Sequence, residues 1–543
     1  MLDLTKRKRS APCVRGTLIE HALERAAAMP DAPVFLGEAR PIDHAFLLEQ
    51  AESLAAGLQE QGLRAGDVIA FQLPNWFESA VVNLAACRLG LVCAPLLPFY
   101  REAELAFMLD AAGCRAVFFP AAFRGFDFGA MYQRLGPTLS CRPLLVALRG
   151  EAEGATRYED LVAAGRNRTP AWPRVKSDSV KLLLYTSGTT GRAKAVLHSH
   201  ESLARAVLMS VEHWNIRPGD VVLMPSPVTH ATGYANALEL PLLHGTRTVL
   251  MDRWDPGRAV ELIEQYEVAA TVGATPFLRE LTAAAVKAGS RLPSLRVFAC
   301  GGAAVPPDVI ADANRTFAKR PAFRVYGSSE APYVALGRPS QDSQDDGVLA
   351  ATTDGEVVDY EVRIVDERGC DVAAGGEGEI LVRGAALFRG YGNPADNRDC
   401  FTTDGFFRTG DIGAIVRGSW LTITGRKKDL IIRGGENIGA KEIEDVLHGH
   451  PSIAEAAVVA MPHERLGEAI CAFVIARADV EPTLHDLTVH LQARCLARHK
   501  YPERLIVVKE LPRTASGKIR KDILRAVAAD EAGVRAGIGY EAR

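Results

Sequence analysis

Tyr-Thr-Ser-Gly-Thr-Thr-Gly-Arg-Ala-Lys occupies residues 185–194, and the rest of the chain is organised around this stretch. Apolar residues dominate positions 180–184 and 195–197 on either side of it, which predicts a strand, a loop and a second strand. Glycines allow backbone N–H groups to approach a phosphate, the hydroxyls add donors, and the lysine supplies positive charge. The stretch therefore predicts a phosphate-binding loop.

The loop differs from the usual nucleotide-binding P-loop. Two residues separate Gly188 from Gly191, and no Lys-Ser or Lys-Thr pair follows the second glycine. A solvated hairpin rich in serine, threonine and glycine is the alternative for the stretch taken alone. The stretch alone does not distinguish a phosphate-binding loop from a solvated hairpin, but motifs elsewhere in the chain do.

The composition limits the class of protein. The chain has 543 residues, 48% of them hydrophobic, which is too long for one core and predicts at least two domains. Its 63 basic and 66 acidic residues nearly balance, so we expect neither nucleic acid nor an anionic membrane as a partner. Ten scattered cysteines without a Cys-x-x-Cys pair indicate a reduced, cytoplasmic protein without a structural zinc site.

Two segments bear on membrane targeting. The basic residues 6–9 are not followed by an apolar segment, which argues against a secretory signal. The most apolar window, residues 80–97, is interrupted by Asn83, Arg88, Gly90 and Pro95. This window predicts a buried helix followed by a strand, and not a membrane span.

Predicted strands and helices alternate through about residue 340. Such alternation is typical of mixed or parallel sheets layered with helices, and we expect two α/β subdomains up to about residue 350. The predicted helices that matter below lie at residues 17–29, 45–61, 76–89, 203–213 and 235–243.

The pattern changes near residue 351. Short alternating strands between glycine- and aspartate-rich turns predict a small β-barrel over about residues 351–427. A separate α+β unit follows, and we place the boundary at Lys428. The predicted fold class is therefore α/β, with a large N-terminal domain (1–427) and a small C-terminal domain (428–543).

Three polar clusters in the N-terminal part suit nucleotide chemistry. Ser329 and Glu330 follow a strand end, where their oxygens suit Mg²⁺ but equally suit a polar turn. Small residues at 300–304 leave a flat face for adenine or for close packing. Asp411 follows a tight turn and suits a ribose diol, although a Thr-Gly-Asp triplet is weak evidence alone.

Two further clusters are basic. Residues 425–438 place four cations beside a turn and two glycines, a pattern that in isolation favours a solvated charge run. Lys518 lies in the glycine-flanked run 512–521, which in isolation favours a surface loop.

Together, in this order and at these separations, the six motifs resemble the adenylate-forming superfamily. That superfamily includes acyl- and aryl-CoA synthetases, the adenylation domains of peptide synthetases and firefly luciferase. The resemblance extends from about residue 15 to about residue 525. It implies that a hinge joins the large domain to a small mobile one. It also implies two reactions: a carboxylate and ATP give acyl-AMP and pyrophosphate, and a thiol attacks the adenylate after the small domain has rotated.

The resemblance further implies roles for single residues. Lys518 would bridge the incoming carboxylate and the α-phosphate, and Lys428 would be the hinge. Glu330 and Ser329 would hold Mg²⁺, while Asp411, helped by Arg426, would hold the ribose hydroxyls. The remaining ATP or AMP contacts would come from Thr186, Ser187, Gly188, Thr189, Thr190, Lys194, Gly302, Ala303, Tyr326 and Gly327.

By the same resemblance, the acid would lie near residues 225–234. His230 would gate the path of the thiol or pack against the substrate carboxylate; a hydrogen-bonded core histidine is the alternative. Counting back from Gly245 aligns Thr232 with the acidic residue of amino-acid-activating members, which disfavours an α-amino acid because its ammonium would be buried unpaired. The predicted acyl pocket suits a medium or bulky hydrocarbon acid, with Tyr234 as a wall or a ring contact: Ala231, Gly233, Tyr234, Ala235, Gly301 and Val325.

Three functions of different class remain open at this point. The first is an acyl-CoA synthetase that uses ATP, Mg²⁺ and CoA on a medium-chain, alicyclic or aromatic acid. The second is an adenylating enzyme that passes the acyl group to a carrier-protein phosphopantetheine or to a partner enzyme. The third is a luciferase-like oxygenase or a non-catalytic relative, although the sequence keeps Lys194, Glu330, Asp411 and Lys518.

Overall fold

The computed structural model of the chain describes residues 16–530, apart from 38–39, 169, 187–192, 303–304, 341–343, 435, 478–479, 495 and 514–517. Three sheets of five or more strands organise this part of the chain. Two belong to the N-terminal part and one to the C-terminal part.

The first sheet has seven strands and carries the predicted phosphate loop at its edge. Its edge pair, Val180–Thr186 and Lys194–Ser199, is antiparallel, and the other pairs are parallel. The remaining strands, in order across the sheet, are Val92–Pro95, Val68–Phe71, Cys114–Pro120, Leu144–Leu148 and Thr156–Arg157. The helices in this stretch of chain are Leu18–Ala28, His44–Glu60, Glu78–Leu89, Glu102–Ala112, Phe128–Leu135, Tyr158–Gly165 and His200–Trp214.

The second sheet has thirteen strands, and these carry Tyr326, Asp411 and Arg426, which are predicted to contact AMP. Its parallel part has the order Ala322–Tyr326, Val297–Cys300, Ala270–Gly273, Val221–Met224, Arg247–Leu250 and Pro33–Leu36, with Ile42–Asp43 antiparallel at that edge. Antiparallel strands extend the other edge in the order Ala335–Leu336, Gly355–Val357, Trp420–Arg426, Phe407–Val416, Gly378–Gly384 and Tyr360–Val365. The accompanying helices are Ala231–Gly233, the π-helical turn Tyr234–Glu239, Leu240–His244, Pro256–Gln265, Thr275–Ala288, Pro307–Thr316 and Gln344–Thr352.

One hydrophobic core joins these two sheets. It contains Leu184 from the first sheet and Phe298 and Phe323 from the second, all almost completely buried. Helix His200–Trp214 follows the phosphate-loop strands directly. The Ser199 hydroxyl caps its first turn by accepting a hydrogen bond from the Ser202 N–H at 3.1 Å. The shared core therefore holds the phosphate-loop strands and the AMP-side strands in one packed unit.

The C-terminal unit has its own sheet and its own buried clusters. One cluster surrounds Ile443 and another surrounds Phe473. The sheet consists of Glu436–Gly439, Leu430–Arg433, Gly467–Ala476 and Ile453–His463, with Arg504–Val507 parallel to Gly467–Ala476. Its helices are Ala440–His448, Leu484–Ala493 and Lys521–Ala529. The predicted boundary at Lys428 falls in the 3₁₀ turn Lys427–Asp429, directly before this unit.

The apolar window 80–97 forms a helix and a strand, as predicted. The helix is Glu78–Leu89 and the strand is Val92–Pro95, and both lie almost entirely in the core. Throughout the described residues, helices are too short or too polar to cross a membrane.

Several elements differ from the sequence prediction. The strands predicted as a small barrel over residues 351–427 are continuous with the parallel sheet through Ala335–Leu336, because they pair with the edge that the parallel strands leave open. The helix predicted at 235–243 contains a π-helical turn. Four helices of eight to ten residues are absent from the prediction, because each is too short for a clear periodic pattern: Phe128–Leu135, Tyr158–Gly165, Pro307–Thr316 and Gln344–Thr352.

Candidate active site

The phosphate loop is held at both ends by main-chain pairing. Thr186 and Lys194 lie opposite each other at the end of the antiparallel strand pair. The Lys194 Nζ is 4.0 Å from the Asp396 Oδ1 and 4.8 Å from the centre of the Tyr391 ring. The predicted phosphate ligands Ser187, Gly188, Thr189 and Thr190 lie outside the described residues.

Glu330 lies close to this lysine through a shared neighbour. The Tyr391 hydroxyl donates to the Glu330 Oε1 at 2.8 Å, and the Glu330 carbonyl accepts from the Phe388 N–H at 2.8 Å. The same Tyr391 ring lies beneath the Lys194 ammonium. The structure thus brings together Lys194 and Glu330, which are 136 positions apart in the sequence.

A buried histidine fixes the chain before Glu330. His198 donates its Nε2–H to the Ser329 carbonyl at 2.7 Å, and its Nδ1 lies 3.1 Å from the Ser202 Oγ. A carbonyl oxygen can only accept, so the ring proton is on Nε2. Burial lowers the pKa of His198 to about 4, against the opposing effect of the bond to Ser329, so the ring is neutral at pH 7.

The donor set at Ser329 and Glu330 fits Mg²⁺ carried by a nucleotide. Mg²⁺ prefers oxygen ligands, keeps several waters, and usually binds through one or two carboxylates together with substrate phosphates. Glu330 offers one carboxylate, and no group of three His, Cys, Asp or Glu side chains among the described residues forms a complete protein-only metal site. These residues therefore suit a metal that arrives with its phosphates.

Asp411 forms the centre of a second polar cluster. Its Oδ2 accepts from the Tyr326 hydroxyl at 2.7 Å, and its Oδ1 lies 2.8 Å from the Arg426 Nε. Asp411 and Arg426 are paired across neighbouring strands, which sets this contact. Burial first, and then the Asp411 charge, raise the pKa of Tyr326 well above its ordinary value, so the phenol remains a donor. The Asp411 side chain is only 5% exposed, and Tyr326 and Arg426 each contact one of its oxygens.

Close packing surrounds the glycines predicted for adenine and acid binding. A methyl group at Gly301 would lie 2.6 Å from the Val325 carbonyl oxygen, and one at Gly327 would lie 2.5 Å from the Tyr333 nitrogen. Gly302 has a φ of +83°, which favours glycine. Ala303, also predicted here, lies outside the described residues. The glycines therefore bring two backbone segments together where a side chain would separate them.

His230 lies directly before the helical segment 231–244, which carries part of the predicted acyl pocket and is called the acyl-pocket helix below. Its Nδ1 accepts from the Thr232 N–H at 3.5 Å, which places the ring proton on Nε2. Burial, and then the charge of Lys518, lower the pKa of His230 to about 4. A neutral imidazole with a donor at Nε2 follows from both observations.

The predicted pocket residues divide into two groups. Ala231, Gly301 and Val325 keep exposed surface, whereas Gly233 and Ala235 are buried. Tyr234 is completely buried, its hydroxyl donates to the Asn83 Oδ1 at 2.6 Å, and its ring stacks on Phe71. Its ring therefore packs in the core, where a buried partner satisfies its hydroxyl, and the two predicted roles of Tyr234, a pocket wall or a ring contact, stay predictions.

Lys518 belongs to the C-terminal unit, whereas Arg426, Asp411 and Glu330, whose charges act on its ammonium, belong to the N-terminal one. The residue is exposed, although partial burial desolvates its ammonium. This burial and the charge of Arg426 lower its pKa, while Asp411 and Glu330 oppose the change. Lys518 thus lies within the electrostatic reach of both Asp411 and Glu330.

The predicted hinge is anchored from the C-terminal side. Arg525 forms an ion pair with Asp429, and its Nη2 donates to the Lys428 carbonyl at 3.4 Å. Burial lowers the pKa of Lys428. The hinge role of Lys428 stays a prediction, since a single arrangement of the two units does not test it.

Sequence reasoning missed several residues that support the site. His198 donates to the Ser329 carbonyl, and the Tyr391 hydroxyl donates to the Glu330 carboxylate. Asn236, within the acyl-pocket helix, donates to the Tyr333 hydroxyl. A histidine within an otherwise apolar strand was the available signal for His198. The others give no local signal, because their partners are distant in sequence.

Two family models match the chain. The family model described as AMP-binding enzyme matches residues 23–392, and the model described as AMP-binding enzyme C-terminal domain matches residues 442–518. Lys194 and Glu330 lie in the first match, and Lys518 ends the second.

Similar proteins cover nearly the whole chain. The medium-chain fatty-acid–CoA ligase of Escherichia coli (strain K12) is 35% identical over 94% of this chain and 90% of its own length. The 2,3-dihydroxybenzoate-AMP ligase of Bacillus subtilis (strain 168) is 33% identical over 88% of this chain and 87% of its own length. The crystal structure of ATP-bound MatB from Rhodopseudomonas palustris has a TM-score of 0.83 at 27% identity, and the match covers 95% of this chain and 99% of MatB. The chain therefore belongs to the AMP-binding enzymes and is an adenylate-forming enzyme.

Proposed function

We propose that this enzyme converts a hydrophobic carboxylic acid and ATP to an acyl-AMP and pyrophosphate, and then transfers the acyl group to the thiol of CoA. The observation that carries the proposal is the approach of Lys518 to Asp411, Glu330 and Arg426. With ribose at Asp411 and the phosphates at Glu330, the α-phosphate of ATP would lie between them, beside the lysine. A cation at that point would offset the negative charge that develops when the carboxylate attacks the α-phosphorus and pyrophosphate leaves.

The chemistry depends on charge stabilisation and positioning. Attack of a carboxylate on the α-phosphorus brings two anions together and builds negative charge on the phosphoryl oxygens. In this proposal Lys518 offsets that charge, and Asp411 with Arg426 fixes the ribose. The residues Thr186, Ser187, Gly188, Thr189, Thr190 and Lys194 would hold the leaving pyrophosphate.

Glu330 and Ser329 are the residues proposed to hold Mg²⁺. When bound, the ion would add positive charge to the leaving phosphates. His198 supports this role, because it fixes the Ser329 carbonyl and so limits the positions open to Glu330. The Tyr391 hydroxyl holds the Glu330 carboxylate from the other side.

His230 is proposed to orient the acid. As a neutral ring it cannot repel Lys518, and its Nε2–H is a donor suited to a carboxylate oxygen. The small residues Ala231 and Gly301 and the apolar Val325 are the proposed pocket contacts that remain partly exposed. They support a largely hydrocarbon acid.

Likeness to a medium-chain fatty-acid–CoA ligase supports CoA as the acceptor. The second candidate is an enzyme that hands its adenylate to a carrier-protein phosphopantetheine or to a partner enzyme. The specific observation in its favour is the likeness to a relative named as an AMP ligase. A reducing compartment such as the cytoplasm is also proposed, since the cysteines in the described ranges are free thiols.

One assay, run with and without CoA, tests the proposed function. The protein is incubated with Mg-ATP and straight-chain, alicyclic or aromatic acids, with and without CoA, and pyrophosphate, AMP and the acyl product are measured. We expect pyrophosphate release that depends on the acid, and an acyl-CoA when CoA is present. An acyl-AMP that accumulates and ignores CoA would support the second candidate. Absence of pyrophosphate with every acid would overturn both.

A further inference from the structure

A buried ion pair links the phosphate-loop strand to the acyl-pocket helix. Lys181 lies on strand Val180–Thr186, and Glu239 is the last residue of the π-helical turn Tyr234–Glu239. The Lys181 Nζ lies 2.7 Å from the Glu239 Oε1, and each side chain is 1% exposed. Burial lowers the pKa of Lys181, but Cys87 and Glu239 raise it by more, so the ammonium stays charged.

Hydrogen bonds extend this pair to the start of the turn. The Asn83 Nδ2 donates to the same Glu239 Oε1 at 2.9 Å, and the Asn83 Oδ1 accepts from the Tyr234 hydroxyl at 2.6 Å. Tyr234 is the first residue of the turn and Glu239 the last. A buried charge pair is retained only where such additional bonds compensate its loss of water. The network therefore holds the turn at both ends.

The opposite side of the turn lies beside the candidate active site. The Asn236 Nδ2 donates to the Tyr333 hydroxyl at 2.6 Å and to the Thr232 carbonyl at 2.8 Å. Tyr333 is three residues beyond Glu330, and the turn begins four residues after His230, which lies within the field of Lys518. The turn thus connects the reaction centre to the segment that carries the metal-side carboxylate.

We propose that Lys181 and Glu239 are positioning residues that hold the turn in its π-helical form and thereby set the shape of the acid pocket. Single π-helical turns are rare and are frequently found at functional sites. Conversion to a regular α-helix would change the direction of the following side chains by roughly 100°, the rotation per residue. This inference rests on the proposed function, because it requires that the turn faces the acid.

The test uses the two single variants Lys181→Met and Glu239→Gln and the double variant. Each single change leaves one charge buried without its partner, so we expect a melting temperature several degrees lower. The double variant removes both charges, fills the space of the lysine stem and keeps an acceptor for Asn83, so it regains most of that loss. Its preference among straight-chain acids changes by about tenfold in relative kcat/KM, the size of effect that one or two methylenes have in a fitted pocket. The KM for ATP stays within about twofold, since the phosphate-side contacts are unaltered.

Arg296 and Asp220 provide the matched control. They form a partly buried ion pair that none of the site contacts involves. The variant Arg296→Met/Asp220→Asn should change the melting temperature without changing the acid profile. A wild-type profile in the folded Lys181→Met/Glu239→Gln variant would overturn the inference, because the pair would then only stabilise the fold.

Tyr234→Phe serves if the double variant does not fold. It removes only the hydroxyl that donates a hydrogen bond to the Asn83 Oδ1, at the first residue of the turn. A changed acid profile supports the inference, and an unchanged one overturns it. Failure of the proposed function is distinguishable: wild-type protein would then release no pyrophosphate with any acid, and the inference would fail with it.

Discussion

Acid should destabilise this enzyme partly through His198. The ring is completely buried, with a pKa lowered by burial to about 4 from the ordinary 6.5. Between these two values the unfolded chain binds a proton that the folded ring refuses, so stability falls as the pH falls through this window. The difference corresponds to roughly 3 kcal/mol below pH 4, and to about 2 kcal/mol at pH 5.

The variant His198→Gln isolates this effect. It removes the titrating ring and keeps an amide N–H that can donate to the Ser329 carbonyl. Urea denaturation at about pH 7.5 and about pH 5 measures the stability lost between the two conditions, and we expect that loss to be about 2 kcal/mol smaller in the variant than in the wild type. Equal losses in the two proteins would show that the folded protein does not hold His198 neutral.

A second variant separates the titration from the hydrogen bond. His198→Leu also removes the titrating group, so it should flatten the pH dependence equally. It loses the donor to Ser329 as well, and the freed chain before Glu330 should raise the Mg²⁺ concentration needed for half-maximal pyrophosphate release. His198→Gln should need close to the wild-type concentration. If His198→Leu also needed only the wild-type Mg²⁺ concentration, the proposed effect of the His198–Ser329 hydrogen bond on Mg²⁺ binding would be wrong.

Three further predictions follow from single contacts. Tyr326→Phe removes a donor to the Asp411 carboxylate and should raise the KM for ATP by roughly tenfold, which corresponds to the lower end of the range for a bond to a charged group; an unchanged KM in steady-state assays would contradict this. Gly301→Ala places a methyl group 2.6 Å from the Val325 carbonyl oxygen, and urea denaturation should find it about 1–3 kcal/mol less stable, whereas wild-type stability would show that the strands can separate there without cost. Pyrophosphate release should fall as the pH rises through the lowered pKa of Lys518, with a midpoint below 10.5, and Lys518→Arg should move that fall to higher pH; an identical profile for both would assign the titration to another group.

The parts of the fold that local pattern determines were predictable. Alternating strands and helices gave the layered α/β class, and the apolar window 80–97 gave the buried helix Glu78–Leu89 and its following strand. Sheet partnership was not predictable, because a pattern of short alternating strands does not say which edge they will join. The two-residue strand Ala335–Leu336, which makes that connection, is too short to have a pattern. The π-helical turn depends on Asn83 and Lys181, which lie far from it in sequence.

The candidate site shows the same division. Lys194, Glu330, Asp411 and Lys518 were named from motifs and family resemblance, while each motif alone favoured an ordinary turn or loop. Their approach to one cleft is a property of the tertiary structure. His198 and Tyr391 were missed because they act through neighbours, and the core packing of Tyr234 was not predictable because its buried partner Asn83 is 151 positions away.

The central claim is that Lys518 serves adenylation and not thioester formation. Lys518→Ala is assayed in the two half-reactions separately: acid-dependent pyrophosphate release, and acyl-CoA formation from a preformed acyl-AMP and CoA. Arg520→Ala is the control, since this exposed residue pairs with Asp522 and lies two positions away. We expect Lys518→Ala to lower the first rate by ~10²–10³ and to leave the second largely intact. An equal loss in both half-reactions would contradict the central claim.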